Sequence, residues 1–315
     1  MTKNSWRIAV LCGGDSSERE VSLKTGEAVA GALDQRGHCV RLIDVRNRSL
    51  EALDGFECDL AFIALHGPFG EDGQVQLLLE MRGLPYTGSG VESSRLSMDK
   101  AASKQRFTEV GIPTPPYFVV EEHSHAEERR AMIASMGFPQ IIKPAREGSS
   151  IGVTVARCMT QAAEALEQCF KLDSRVLIER FIRGRELTVG ILGLRALPVI
   201  ELIYPGLIFD YDAKYTQGVT RHVVNPDLSE SVDEQVRMAA LAAHQALGCR
   251  GISRVDIMLD HDNTPYVLEL NSIPGMTATS LVPDAARSAG IEFPELCETI
   301  ARYAINAQNR VIKDL

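Results

Sequence analysis

Ser253-Arg254-Val255-Asp256-Ile257-Met258-Leu259, a turn at Asp260-His-Asp-Asn263, and Tyr266-Val267-Leu268-Glu269-Leu270-Asn271 are the most informative stretch of the chain. Side chains alternate faces along a strand, so Arg254 and Asp256 point one way, and Glu269 and Asn271 likewise share a face. Val255, Ile257 and Leu259, with Leu268 and Leu270, are expected to turn into a core. The short turn makes the strands, Ile252–Leu259 and Tyr266–Asn271, antiparallel neighbours. Three oxygen donors and one guanidinium then converge on one surface. Two carboxylates and an amide suit Mg²⁺, which takes few protein ligands and completes its shell from phosphates. A solvated polar face is the alternative for the hairpin alone. Its continuation, Ser272-Ile-Pro-Gly275-Met-Thr277-Ala-Thr-Ser280-Leu281, argues against that alternative. Small hydroxyl residues with Pro and Gly offer backbone N–H groups to an anion.

Upstream, Ile141-Ile-Lys143-Pro144 sets a cation in an otherwise apolar strand, where an unpaired charge is costly. A phosphate partner and a buried structural ion pair are both open readings. Glu147-Gly148-Ser149-Ser150-Ile-Gly152 follows at once and can lie over phosphates. The run Leu177-Ile-Glu179-Arg-Phe181-Ile182, with Glu186 beyond, can supply an apolar slot and polar groups for a nucleoside. Strands are expected at Tyr117–Val120, Gln140–Pro144, Val153–Ala156, Arg175–Ile182 and Glu186–Gly193. Helices are expected near Glu127–Met136, Thr160–Leu172 and Ser231–Leu247. Leu96 to Val110 reads as one helix, on which Lys100 taken alone is a surface residue. Gly111-Ile-Pro-Thr-Pro-Pro116 then ends it. Tyr204 to Asp227 is loop-rich and reads as a lid.

The first third alternates differently. Arg7-Ile-Ala-Val-Leu-Cys-Gly13 and Leu60-Ala-Phe-Ile-Ala-Leu65 are apolar on both faces, as strands of a helix-covered parallel sheet are. Gly13-Gly14-Asp-Ser-Ser-Glu18 leaves a strand and opens a helix running to Arg36, where free N–H groups attract anions. His66-Gly67-Pro-Phe-Gly70-Glu71-Asp-Gly73 follows a buried strand, the position where open α/β sheets place ligands. Gly88-Ser-Gly90-Val-Glu-Ser93 lacks the third glycine of the dinucleotide fingerprint, and no Walker-type loop occurs. A nicotinamide dehydrogenase is disfavoured on that ground.

The chain has 315 residues, beyond the roughly 250–300 that a single core sustains, so several domains are expected. Its 33 basic and 42 acidic side chains leave a net charge of −9, which argues against nucleic acid as a partner. No apolar run reaches the roughly 18–20 residues of a membrane span. Seven scattered cysteines lack any Cys-x-x-Cys pair and are expected to be reduced, cytoplasmic and mostly core-packed. His123 and His125 lie in a charged loop and are given no metal role.

Taken together, the motifs resemble the D-alanine–D-alanine ligases of the ATP-grasp superfamily, from Arg7 to about Ala301. Six segments carry the resemblance: Gly13-Gly-Asp-Ser-Ser-Glu-Arg-Glu-Val-Ser-Leu23, His66 to Gly73, Tyr86-Thr-Gly-Ser-Gly90, Lys143-Pro-Ala-Arg-Glu-Gly-Ser-Ser-Ile-Gly152, Asp210-Tyr-Asp-Ala-Lys-Tyr215 and Leu268 to Thr277. It implies an α/β and α+β fold of three domains: an N-terminal parallel α/β domain at 1–93, a central ATP-grasp domain at 94–186, and a C-terminal ATP-grasp domain at 187–315. It implies ATP between the last two, with Lys100, Lys143 and Lys214 at the phosphates, Ser150 in the covering loop, and Glu179, Phe181, Ile182 and Glu186 at the adenosine.

By the same resemblance Asp256, Glu269 and Asn271 hold two Mg²⁺ ions, with Mn²⁺ as a substitute. Glu18, in a hydrogen-bonded set with Ser149 and Tyr215, receives the first D-alanine near His66. Arg254 and the Gly275 amide bind the oxyanion, and Ser280 and Leu281 receive the second D-alanine. Tyr215 favours the dipeptide, because relatives making D-alanyl-D-lactate tend to lack it. A homodimer and a cytoplasmic location are also implied, and no membrane partner. A catalytically silent nucleotide binder requires a damaged site, whereas Lys143, Arg254, Asp256, Glu269 and Asn271 are all intact.

Overall fold

Strand β1 (Arg7–Gly13) is buried from Ile8 onward on both faces. Ile8 and Val10 enter one core and Ala9 and Leu11 another, so the strand must be central, with helices on either side. β2 (Cys39–Val45) and β3 (Leu60–Ile63) pair with it in parallel, giving the order β2-β1-β3. Helix α1 (Arg19–Gln35) covers the first face and α2 (Gln74–Met81) the second. The computed structural model describes residues 5–209, 216, 218–277 and 280–313, with side chains to residue 307.

The expected helix Leu96–Val110 is two helices. α3 (Val91–Met98) stops and α4 (Lys100–Glu109) starts at Asp99, whose backbone is extended and whose carboxylate accepts from the Ala102 N–H at 3.0 Å. That carboxylate also takes Arg175 Nη1 at 2.7 Å. The cap satisfies a backbone N–H that the start of a new helix would otherwise leave without a partner. The break sets Lys100 at the first position of α4, aimed inward rather than at solvent.

β4 (Tyr117–Glu121), α5 (Ala126–Met136), β5 (Gln140–Pro144), β6 (Thr154–Ala156), α6 (Met159–Cys169) and β7 (Arg175–Arg180) form a second unit. Its antiparallel sheet has the order β4-β7-β5-β6, with α5 and α6 on one side. β8 (Gly184–Leu192), β9 (Arg195–Ala196), β10 (Ile200–Ile203), β11 (Arg221–Val224), β12 (Ile252–Asp260) and β13 (Pro265–Asn271) build the third sheet, order β11-β10-β8-β12-β13 with β9 on β8. All its pairs are antiparallel. Helix α7 (Glu230–Ala246) packs on it through Val236, Ala240 and Ala243.

Two further helices close the chain, α8 (Leu281–Ser288) and α9 (Phe293–Lys313). Leu296, Ile300 and Ala301 of α9 share a core with Val29, Ala32 and Leu33 of α1, and Arg36 meets Glu298. No helix among the described residues is long and apolar enough to cross a membrane. All seven cysteines are free, but the expectation that most pack in cores is corrected. Cys12, Cys169 and Cys297 are buried, Cys58 and Cys249 half-buried, and Cys39 and Cys158 exposed, because the last two fall at the rim of a sheet edge and a helix start.

Candidate functional site

β12 and β13 pair with Arg254 opposite Asn271 and Asp256 opposite Glu269. After that pair the register slips, and Ile257 faces Val267, leaving Leu268 as an extra residue on β13. This bulge corrects one expectation. Val267 and Leu270 enter the core, while Leu268 lines the cleft, because one inserted residue reverses the side-chain phase. Opposed carboxylates repel unless cations intervene. Arg254 grips Asp256 with Nε–Oδ1 at 2.9 Å and Nη2–Oδ2 at 2.7 Å, and Lys100 Nζ lies 3.3 Å from Glu269 Oε2. Thr188 on β8 donates to Asp256 Oδ1 at 2.7 Å, and Asn271 donates to Oδ2 at 3.2 Å. Two facing carboxylates and an amide are a hard-oxygen set that fits a divalent cation. Among the described residues no cluster of three His, Cys, Asp or Glu side chains forms a metal cage, so bound ions would draw further ligands from phosphates.

Lys143 is both a cleft cation and half of a buried ion pair. Its Nζ lies 3.0 Å from Glu179 Oε1, and the same oxygen takes Lys104 Nζ at 3.2 Å. Burial alone would raise the Glu179 pKa, but Lys104 and Lys143 together hold it below the usual carboxylate range. Glu179 and Lys143 line a cavity of about 110 Å³ with Ile141, Phe181, Ile182 and Leu268. Glu186 lies in the same wall and accepts a hydrogen bond from Tyr204, which stacks on Phe209. Lys100 donates to the Glu147 carbonyl at 2.6 Å, at the root of the Gly148–Gly152 loop. Ser149 and Ser150 both hold left-handed backbone, φ 49° and 58°, a strained pairing of the kind kept at ligand sites. At Gly152, φ 75°, a Cβ would lie 2.8 Å from Leu172 and 2.9 Å from Pro144, so only glycine fits.

That loop reaches across to the N-terminal unit. Ser149 donates to Glu18 Oε1, and Ser150 to the Phe209 carbonyl at 2.8 Å. A cavity of about 690 Å³ extends from here, lined by Glu18, His66 and Glu71 of the N-terminal unit. Arg254, Glu269, Asn271, Gly275, Ser280 and Leu281 line it from the C-terminal end of the chain. His66 contacts Thr25 Oγ1 at 3.2 Å and Glu71 Oε1 at 3.5 Å. Burial, with Glu18 beside it, raises the Glu71 carboxyl above its ordinary value, and the His66 contact only partly opposes this. Ser280 precedes α8 and Leu281 is its first residue, so that end of the cavity meets a helix N-terminus. Lys100, Glu269 and Phe209 line both cavities.

The structure thus brings together Glu18, His66, Lys100, Lys143, Ser149, Ser150, Glu179, Phe181, Ile182, Glu186, Arg254, Asp256, Glu269, Asn271, Gly275, Ser280 and Leu281. Lys214 and Tyr215 lie outside the described residues, as do residues 210–213 and 217 of the expected lid. Sequence reasoning missed Lys104 and Thr188, and took Glu71 only as part of the 66–73 run, with no role of its own. Lys104 stands four residues beyond Lys100, on the same face of α4, but no motif marks it as buried. It also missed His222, which lines the larger cavity and meets Asp284 on α8 at 3.2 Å.

Known proteins point the same way. The family model described as "D-ala D-ala ligase C-terminus" matches residues 107–302, and "D-ala D-ala ligase N-terminus" matches 46–89. The D-alanine–D-alanine ligase of Pelotomaculum thermopropionicum is 46% identical over 95% of this chain and 96% of its own. That of Desulforudis audaxviator is 47% identical over 95% and 98%. The crystal structure of a D-alanine–D-alanine ligase from Bacillus anthracis complexed with ATP matches with TM-score 0.87 at 36% identity, covering 98% of this chain and 100% of that one. The ligase structure from Coxiella burnetii gives 0.88 at 26% identity, covering 99% and 97%. The three sheets are those of the ATP-grasp architecture. With both halves of the family's pattern matched and relatives aligned along nearly its whole length, this chain belongs to the D-alanine–D-alanine ligase family.

Proposed function

We propose that this protein joins two D-alanines into D-alanyl-D-alanine, converting ATP to ADP and phosphate, as a step in making peptidoglycan precursors. The observation that carries this reading is that one cavity is lined both by Glu18, held by Ser149, and by Lys100 and Arg254. An amino acid spanning it sets its ammonium on Glu18 and its carboxylate toward the nucleotide. Three domains, 1–93, 94–186 and 187–315, divide the work, with ATP between the second and third. The protein acts in the cytoplasm as a homodimer.

A carboxylate is a poor electrophile. An oxygen of the first D-alanine therefore attacks the γ-phosphorus, the bond to ADP breaks, and an acyl phosphate forms. Lys100, Lys143 and Lys214 neutralise the phosphate oxygens, with Ser150 in the loop above them, and fixed charges do so without reorganising. Glu179, Phe181, Ile182 and Glu186 hold the nucleoside. Asp256, Glu269 and Asn271 would hold the Mg²⁺ ions, or Mn²⁺, which supply further neutralising charge on the phosphates. The amine of the second D-alanine, its carboxylate on Ser280 and Leu281, then attacks the acyl carbon. Arg254 and the Gly275 N–H face the tetrahedral oxyanion, which collapses by expelling phosphate while the nitrogen gives up a proton. Tyr215 joins Glu18 and Ser149 in orienting the first substrate and favours an amine over a hydroxyl as nucleophile.

Coupled measurement of ADP release with D-alanine, L-alanine and D-lactate tests the reading. D-alanine alone should sustain turnover. Preference for D-lactate at neutral pH would overturn the dipeptide product, and indifference to D-alanine would overturn the whole assignment.

A further inference from the structure

Lys104 carries a charge that the proposed reaction does not use. It is fully buried, on the inner face of α4, behind the two residues of its triad that line the nucleotide cavity. Its Nζ donates to Thr114 Oγ1 at 2.7 Å, lies 3.2 Å from Glu179 Oε1, and sits 5.7 Å from the centre of the Tyr117 ring. Thr114 in turn donates to the Val267 carbonyl at 2.8 Å, and the Val267 N–H returns to the Pro113 carbonyl at 2.8 Å. Lys104 is therefore tied to β7 through Glu179 and to β13 through the 111–116 joint. It has no route to the cavity.

Lys143 differs. It meets the same Glu179 oxygen at 3.0 Å, but it lines the cavity and can turn toward a ligand. Removing one partner of a buried ion pair strands the other charge and is strongly unfavourable. If Lys143 were the only cation on Glu179, each phosphate it reached would leave a bare carboxylate behind. With Lys104 fixed at the same oxygen, the triad holds two positive charges and one negative, and Lys143 can leave a neutral pair behind it. Burial pushes the Lys104 amine down to about 8, and Glu179 is the main group that keeps it charged.

We propose that Lys104 is a positioning residue, the standing counter-ion of Glu179, and that it thereby releases Lys143 to the phosphates of the nucleotide. The proposal rests on the reading of this cleft as the ATP site.

Lys104→Met, Glu179→Gln and the double variant, all in the full chain, test it. ADP affinity is read by calorimetry, and KM for ATP and for D-alanine by ADP release. Lys104→Met should weaken ADP binding and raise the KM for ATP by about tenfold, with the KM for D-alanine within about twofold. In the Glu179→Gln background, where there is no anion left to neutralise, the same change should move ADP affinity by less than about twofold. Equal penalties in both backgrounds would overturn the role of Lys104, because a packing defect does not depend on the charge of its neighbour. Should Lys104→Met alone fail to fold, a double variant that folds and binds ADP like Glu179→Gln supports the proposal, and one that stays unfolded overturns it. Failure of the unmodified chain to bind ADP would overturn the functional reading, and this proposal with it.

Discussion

Glu179 and Glu71 are the same residue type in one site, and their carboxyls shift in opposite directions. Both are driven up by burial, but Glu179 lies between Lys104 and Lys143 and ends below its ordinary value, whereas Glu71 meets His66 and a second acid, Glu18, and ends above it. Around the smaller cavity three acids sit against cations: Glu179 with two lysines, Glu269 with Lys100, Asp256 with Arg254. Glu18 and Glu71 both line the larger cavity, where burial, with Glu18 beside it, pushes the Glu71 carboxyl up while His66 and Arg254 oppose it. The first set is settled by its own cations. The second, on the proposed reading, is prepared for the ammonium of the substrate.

Four substitutions test that contrast, and the strongest is at the settled end. Glu269→Gln should cut ADP release about 10³-fold, equivalent to roughly 4 kcal/mol of barrier, while the thermal midpoint moves little. Activity above a tenth of the parent would place the metal site elsewhere. Glu179→Gln should destabilise the fold by about 3 kcal/mol at pH 7, because two buried lysines then share an uncharged amide. A carboxyl held low in the folded chain contributes stability above its unfolded pKa, and loses it as pH falls through the folded one. The penalty should therefore fade on acidification, and denaturant titrations at pH 7 and pH 3.5 would show whether it does.

At the prepared end, Glu18→Gln should raise the KM for D-alanine about 30-fold, roughly 2 kcal/mol, with the KM for ATP unmoved. Equal changes in both constants would mean that the two ends are not separable. The smallest effect has the opposite sign. Glu71→Gln should stabilise the free protein by about 1 kcal/mol at pH 8, seen as a rise of roughly 2 °C in thermal midpoint. A carboxyl raised in the folded state contributes most at low pH, and that contribution is lost as pH rises through the folded pKa. The gain should therefore vanish near pH 4. A fall in midpoint at pH 8 would show that the acidic end is no less settled than the other.

What could be read from the sequence was local. Period-two alternation put Arg254, Asp256, Glu269 and Asn271 on one surface, which holds in the structure, and the glycine-bounded run after Lys143 marked a loop, which lines both cavities. The same rule failed at Leu268, because a bulge is a property of the pair of strands and not of either one. The helix break at Asp99 was hidden for a similar reason. Its cap is a common local signal, but the carboxylate is also held by Arg175, 76 residues away. Lys104 was passed over because a lysine in a helix ordinarily faces water, and only the fold puts Glu179 against it. His222 and Asp284 meet across 62 residues, and neither carries a motif.

The return of α9 to α1 bears on how the chain is made. Val29, Ala32 and Leu33 leave the ribosome well before their partners Leu296, Ile300 and Ala301. Roughly 260 residues separate the two helices, which at about 5–20 residues per second is some 13–50 s of exposure for one face of the nascent first unit. That unit cannot complete its fold ahead of the rest, in the domain-by-domain order usual for a chain of this size. The helix that closes it is made only after the second and third units, so the first unit is finished after those that follow it in sequence.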